Sequence, residues 1–221
     1  MSERQSLIGL MKHIFIDIIN QKKKSFLIIY LAMLVLDRVN YMILQSFAIG
    51  FSYFIMSVIC TIVLVYFYLA IDDHIPLNKL LKAINENFFL TFKVATVNLV
   101  ILLLIFLPII WFFSALTIDI QDPIYIFMLI LLTLGGILLL STTSLAIIHS
   151  IVEHNNIKMS LYNGLNTAKT YLKIIFKLMI VFIILAIPAS SSIFIMNFLS
   201  IILQLSFITI VIDSINSRNV K

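Results

Sequence analysis

KKKSFLIIYLAMLVLDRVNYMILQ, residues 22–45, sets three lysines at the head of an apolar run of one membrane thickness, since a spanning helix needs about 20 such residues. Outward from it the pattern recurs. With the first run taken as 25–45, five more follow at roughly 49–71, 94–116, 124–149, 172–190 and 193–212. Of the 15 Lys and Arg residues, 14 fall in segments that this alternation puts on one side of a membrane. They are Arg4, Lys12, Lys22, Lys23 and Lys24; Lys79, Lys82 and Lys93; Lys158, Lys169, Lys173 and Lys177; and Arg218 and Lys221. The opposite loops hold only Asp119 and Asp122 as charges. Cytoplasmic loops collect Lys and Arg, so the expected fold is all-α, a polytopic membrane helix bundle with six transmembrane helices and both termini cytoplasmic. Residues 1–24 would form an amphipathic interfacial helix, 25–212 a single six-span domain and 213–221 a cytoplasmic tail.

Composition excludes several classes. With 62% hydrophobic and 11% charged residues and a mean hydropathy of +1.14, a soluble globule of 221 residues lacks polar surface, so lipid is the expected solvent and the cell membrane the expected location. The net charge of +5 does not point to nucleic acid, because the basic residues lie at the ends of apolar runs, where they match anionic leaflet lipids. Cys60 is the single cysteine and sits inside an apolar run, which excludes a disulfide framework or a thiolate cluster within one chain. The lysines near the start follow their apolar stretch and no small-residue cleavage site precedes the first long run, so no cleaved signal peptide is expected. Abundant Ile, Asn and Lys beside only five Gly suggest AT-rich bacterial coding.

Three segments are amphipathic. Leu7, Leu10, Met11, Ile14 and Ile18 recur at helical spacing before the lysine run, as in a helix lying flat on the inner leaflet. Leu77, Leu80, Leu81, Ile84 and Phe88 form a second stripe, and Leu161, Leu165, Ala168 and Leu172 a third, each joining two spans on the cytoplasmic side. An offset of 84 residues pairs Leu77 with Leu161, Leu81 with Leu165, Phe92 with Phe176 and Lys93 with Lys177, which suggests a duplicated unit of parallel orientation. Chance alignment of two amphipathic helices explains the match equally well. Around Pro188 to Ser192 the turn is very tight, and both a two-span and a re-entrant reading of 172–212 fit the charges.

Asp37 and Arg38 are the charged residues inside a span, where insertion costs about 2.5–3.5 kcal/mol each, so a functional site is the first hypothesis. Arg38 also lies about 21 Å along the helix from Lys24, within snorkelling reach of the outer headgroups of a ~30 Å core. Asp37 and Arg38, as neighbours, do not face each other, so Asp37 would seek Asn40, Tyr41 or another span. Asp72, Asp73 and His74 end the second span, and Glu153 and His154 end the fourth. Two His with carboxylates suit Zn or Mn. The spacing is not that of any ligand motif, so helix capping is the plainer role and no metal or cofactor is expected. His149 follows Ser141, Thr142, Thr143 and Ser144, a polar patch that either lines a cavity or bonds between helices, unless its hydroxyls return to their own carbonyls. Gly135 and Gly136 permit close helix approach and Pro108 a kink, while Tyr53, Trp111 and Tyr125 suit boundary anchors.

No nucleophile elbow and no glycine-rich phosphate loop occurs, so any ATPase is expected to be a separate partner. Between Leu145 and Ile183 the order is apolar span, Glu153, Asn155, Ser160-Leu161, Gly164-Leu165, Lys169 and a second apolar span. This resembles the membrane domain fused to some glycerophosphodiester phosphodiesterases of Gram-positive bacteria, and related small stand-alone six-helix proteins of mostly unknown function. The resemblance implies an architecture and a membrane-accessory role; the soluble phosphodiesterase domain with its metal-binding His and carboxylates has no counterpart in these residues. Three functions are therefore open. The first is a non-enzymatic accessory or transport-related subunit that docks to lipid or to a transporter ATPase or permease through its amphipathic helices. The second is an immunity protein against membrane-active peptides or bacteriocins, and the third an intramembrane enzyme using His149, Glu153 and His154.

Overall fold

The computed structural model describes residues 6–43, 47–70, 77–115, 123–189 and 192–219, and every regular element among them is helical. α1 (Leu7–Lys12) is capped by the Ser6 hydroxyl, which accepts from the Gly9 N–H at 3.0 Å, and continues as a π-helix over His13–Ile19. Then come α2 (Lys23–Ile43), α3 (Phe47–Leu69), α4 (Leu77–Ala115), α5 (Pro123–Val152), α6 (Ile157–Thr170), α7 (Leu172–Ala189) and α8 (Ile193–Asn219). Pro123 opens α5, where a missing N–H costs nothing, and Pro188 falls in the last turn of α7. Each of the six long apolar runs is carried by a helix: α2, α3, α4, α5, α7 and α8.

Among the described residues, three helical segments are long and apolar enough to cross a membrane: Asn78–Ile105, Gly135–Val152 and Ile193–Arg218. The α6–α7 pair, bent by 84°, makes a fourth if it counts as one broken span, and Phe54–Leu69 is a shorter apolar helix. Large apolar side chains face outward on several helices, including Ile28 of α2 at 60% exposure, Leu104 of α4 at 69% and Ile184 of α7 at 60%. A soluble monomer rarely shows apolar surface of this extent. The buried centre joins Ile62, Leu64 and Phe67 of α3, Leu145 and Ile148 of α5, and Leu205 and Ile208 of α8.

Local pairings set the directions of the helices. The Tyr30 hydroxyl donates to the Phe194 carbonyl at 3.0 Å, and the Phe26 ring meets Phe198 one turn away, so α2 runs antiparallel to α8. Lys22 is buried; its Nζ donates to the Phe67 and Tyr68 carbonyls at 2.8 and 3.0 Å and lies 5.4 Å from the Phe67 ring centre. A cation thus sits on the carbonyl-rich end of α3, where the helix dipole favours it.

Three arrangements were not foreseen in the sequence. The N-terminal segment sends Leu10, Ile14 and Ile18 into the core against α7 and α8, leaving Ile8, Phe15 and Ile16 outward, so it has an inner as well as an outer apolar face. The stripe from Leu77 and the following span form one continuous helix, α4, because no Gly or Pro interrupts residues 77–107. The corresponding later segment breaks at Tyr171 into α6 and α7, so Lys93 lies within a helix while Lys177 lies beyond an elbow, and the two supposed repeats differ in shape.

Candidate functional site

α6 folds back along α5 after a short turn in which His154 takes φ 50° and Asn156 caps the new helix, its side chain accepting from Met159 N at 3.0 Å. The two helices touch at Gly164, where a Cβ would meet the Ala146 backbone N at 2.7 Å. Glycine is needed there for close approach of backbone to backbone.

Three pairs spaced i, i+4 interlock at this junction: His149 on α5 with Glu153 just past its end, Asn163 and Thr167 on α6, and Ser214 and Arg218 on α8. His149 Nδ1 lies 2.7 Å from Glu153 Oε2, and its Nε2 lies 2.9 Å from Thr167 Oγ1. Thr167 Oγ1 is in turn 3.0 Å from Ser214 Oγ. Glu153 Oε2 also accepts from Asn155 and Asn163 Nδ2, both at 2.9 Å, while its Oε1 accepts from Arg218 at 3.1 Å. The imidazole is fully buried, and Arg218 keeps 45% of its side chain exposed. Either protonation state of His149 fits, because the Thr167 and Ser214 hydroxyls can rotate to donate toward the ring or away from it.

A hydroxyl on Nε2 and a carboxylate on Nδ1 repeat the connectivity of a nucleophile triad. Access decides against that chemistry, since Thr167 is 2% exposed, Ser214 already engages its hydroxyl, and both lie between packed helices. What the arrangement does is give the buried imidazole and the partly buried carboxylate hydrogen-bond partners while pinning α6 and α8 onto α5.

The remaining sequence candidates are dispersed. Ser141 Oγ donates to the Ile137 carbonyl at 2.7 Å, and Thr143 and Ser144 likewise return to carbonyls of their own helix. Thr142 is half-buried beside them. His154 is exposed in the turn outside the cluster. Arg38 is exposed on α2, the Asp37 side chain lies outside what is described, and Asp72, Asp73 and His74 lie outside the described residues. Among the described residues no group of three or more His, Cys, Asp or Glu side chains is placed to hold a metal ion. Asn163, Thr167 and Ser214 carry no charge and went unnoticed in the sequence beside the leucine stripe of α6, and Arg218 stood there only as a topology charge. The signal was there in the spacing of Asn163, Gly164 and Thr167, a polar and small stripe at helical period. Comparison with protein-family models, with curated proteins and with solved structures gives no match.

Proposed function

We propose that the chain is a non-enzymatic, multi-pass protein of the cell membrane with six crossings and both termini cytoplasmic, serving as an accessory or transport-related subunit whose α6 docks on the inner leaflet. One observation carries this reading. α6 buries Ser160, Asn163, Gly164 and Thr167 and turns Met159, Tyr162 and Leu165 outward, between Lys158 and Lys169. A helix with its polar face inward and an apolar, cation-flanked face outward suits contact with anionic lipid rather than water. The antiparallel run of α2 and α8, which turns the start of one and the end of the other to the same side, supports placing both termini together. The lysine distribution supports placing them inside. The likeness to the six-helix domain of certain phosphodiesterases belongs to the same proposal, as an accessory architecture without the catalytic domain.

Affinity purification from the native host in mild detergent, with mass spectrometry of co-purifying proteins, tests the role. A stoichiometric ATPase or permease is the expected result. A lone protein that protects a sensitive strain from membrane-active peptides replaces this reading with the immunity one.

A further inference from the structure

The elbow between α6 and α7 forms an open hollow of about 580 Å³, whose lining includes Ile137 of α5, Lys169 of α6 and Leu172, Lys173, Ile175 and Phe176 of α7. That volume lies in the range of ligand sites, roughly 300–1,000 Å³. Both lysines are exposed, and neither has a carboxylate partner among the described residues. Two ammonium groups over an apolar hollow match a molecule with an anionic head and an acyl chain. α7 leads away from the hollow with Ile180, Ile184 and Ile187 outward, so an apolar track joins the cavity to the surface that faces lipid. Basic pockets between membrane helices on the cytoplasmic side hold anionic head groups.

We infer that the elbow binds one anionic phospholipid of the surrounding leaflet, its phosphate between Lys169 and Lys173 and an acyl chain against Ile137, Ile175 and Phe176. The inference rests on the cytoplasmic placement proposed above and adds to it a defined lipid site.

The test is native mass spectrometry of the delipidated full-length protein, titrated with phosphatidylglycerol, phosphatidylcholine, a free fatty acid and inorganic phosphate. Phosphatidylglycerol should bind at one copy per chain, more tightly than phosphatidylcholine. K169Q/K173Q should weaken it roughly 30-fold, from about fivefold per lysine near an anionic lipid. Leu172→Trp, which fills the hollow and keeps both charges, should also displace the lipid, whereas Lys82→Gln on α4 should leave binding unchanged. Equal binding of the two phospholipids, or unchanged binding in both elbow variants, overturns the site. Competition by inorganic phosphate as strong as that by lipid reduces it to an anion site and overturns the acyl part, and tighter binding of the fatty acid overturns the choice of a phospholipid. Labelling of a cysteine at Gln121 reads orientation independently. Lost lipid binding with outside labelling sinks the cavity alone, while inside labelling sinks the reading on which it rests.

Discussion

A Cβ on residue 164 would stand 2.7 Å from the Ala146 backbone N and 2.8 Å from its Cα, atoms that cannot swing aside as a flexible side-chain end can. Gly164→Ala should therefore force α6 off α5 and cost about 1–3 kcal/mol, read as a lowered melting temperature in detergent. Gly135→Ala is the matched control, since nothing lies within 4 Å of the added methyl, and its helix propensity should leave stability equal or raised by up to about 1 kcal/mol. Equal shifts in the two variants would show that close approach is not what Gly164 supplies. The polar cluster sorts its members by burial in the same way. Glu153→Ala strands His149, Asn155 and Asn163 together, and should cost about 2 kcal/mol or more at roughly 1–3 kcal/mol per unsatisfied buried group. Arg218→Ala removes a pair whose cation is 45% exposed, so its cost should stay within about 1 kcal/mol. An Arg218→Ala loss matching that of Glu153→Ala would make the ion pair, rather than the buried Asn163 amide and His149 imidazole, the anchor of the junction.

At the scale of the element, α4 is the plainest case, because its 39 residues extend about 58 Å against a hydrocarbon core of about 30 Å. Close to half of the helix must leave the membrane, and the charges name the half: Lys79, Lys82 and Glu86 precede Lys93, whereas Leu103, Leu104 and Leu107 are exposed beyond it. Cysteines at Lys79 or Lys82, in a Cys60→Ser background, should react with a water-soluble maleimide in inside-out vesicles, and cysteines at Leu103 or Leu104 should stay protected. Reaction along the whole helix would mean that α4 does not enter lipid at all. Such helices were largely legible in the sequence, since an apolar run expected at 25–45 is realised as Lys23–Ile43 and one at 193–212 as Ile193–Asn219. Hydropathy reports where a chain prefers lipid, and it does so residue by residue. It is silent on which face of α6 turns inward, because an outward leucine stripe and an inward one have the same period. It is equally silent on Thr167 and Ser214, whose hydroxyls become informative only when Gly164 brings α6 against α5. His149 and Glu153 stood out because ionisable groups near a span are rare, while their uncharged partners did not.

For the whole molecule the open quantity is how many times the chain crosses, and two loop positions separate the alternatives. Gln121 lies between α4 and α5 and Ser191 between α7 and α8, and in a six-crossing arrangement with inner termini both belong outside. A cysteine at either position in the Cys60→Ser background should react with an impermeant thiol reagent on intact cells, and tags at both termini should resist external protease. The two positions answer different questions. Reversal at Gln121 overturns the orientation inferred from the lysines, since Asp119 and Asp122 are the charges beside it. Reaction at Gln121 without reaction at Ser191 keeps the orientation and makes α7 with the start of α8 a re-entrant hairpin, which the 84° elbow at Tyr171 favours by tilting α7 away from α6. Against that, the outward Ile180, Ile184 and Ile187 spread a lipid-facing surface along α7, and 18 residues extend about 27 Å, close to one hydrocarbon thickness. Length and surface together weigh for a crossing, so reaction at Ser191 is the expected outcome.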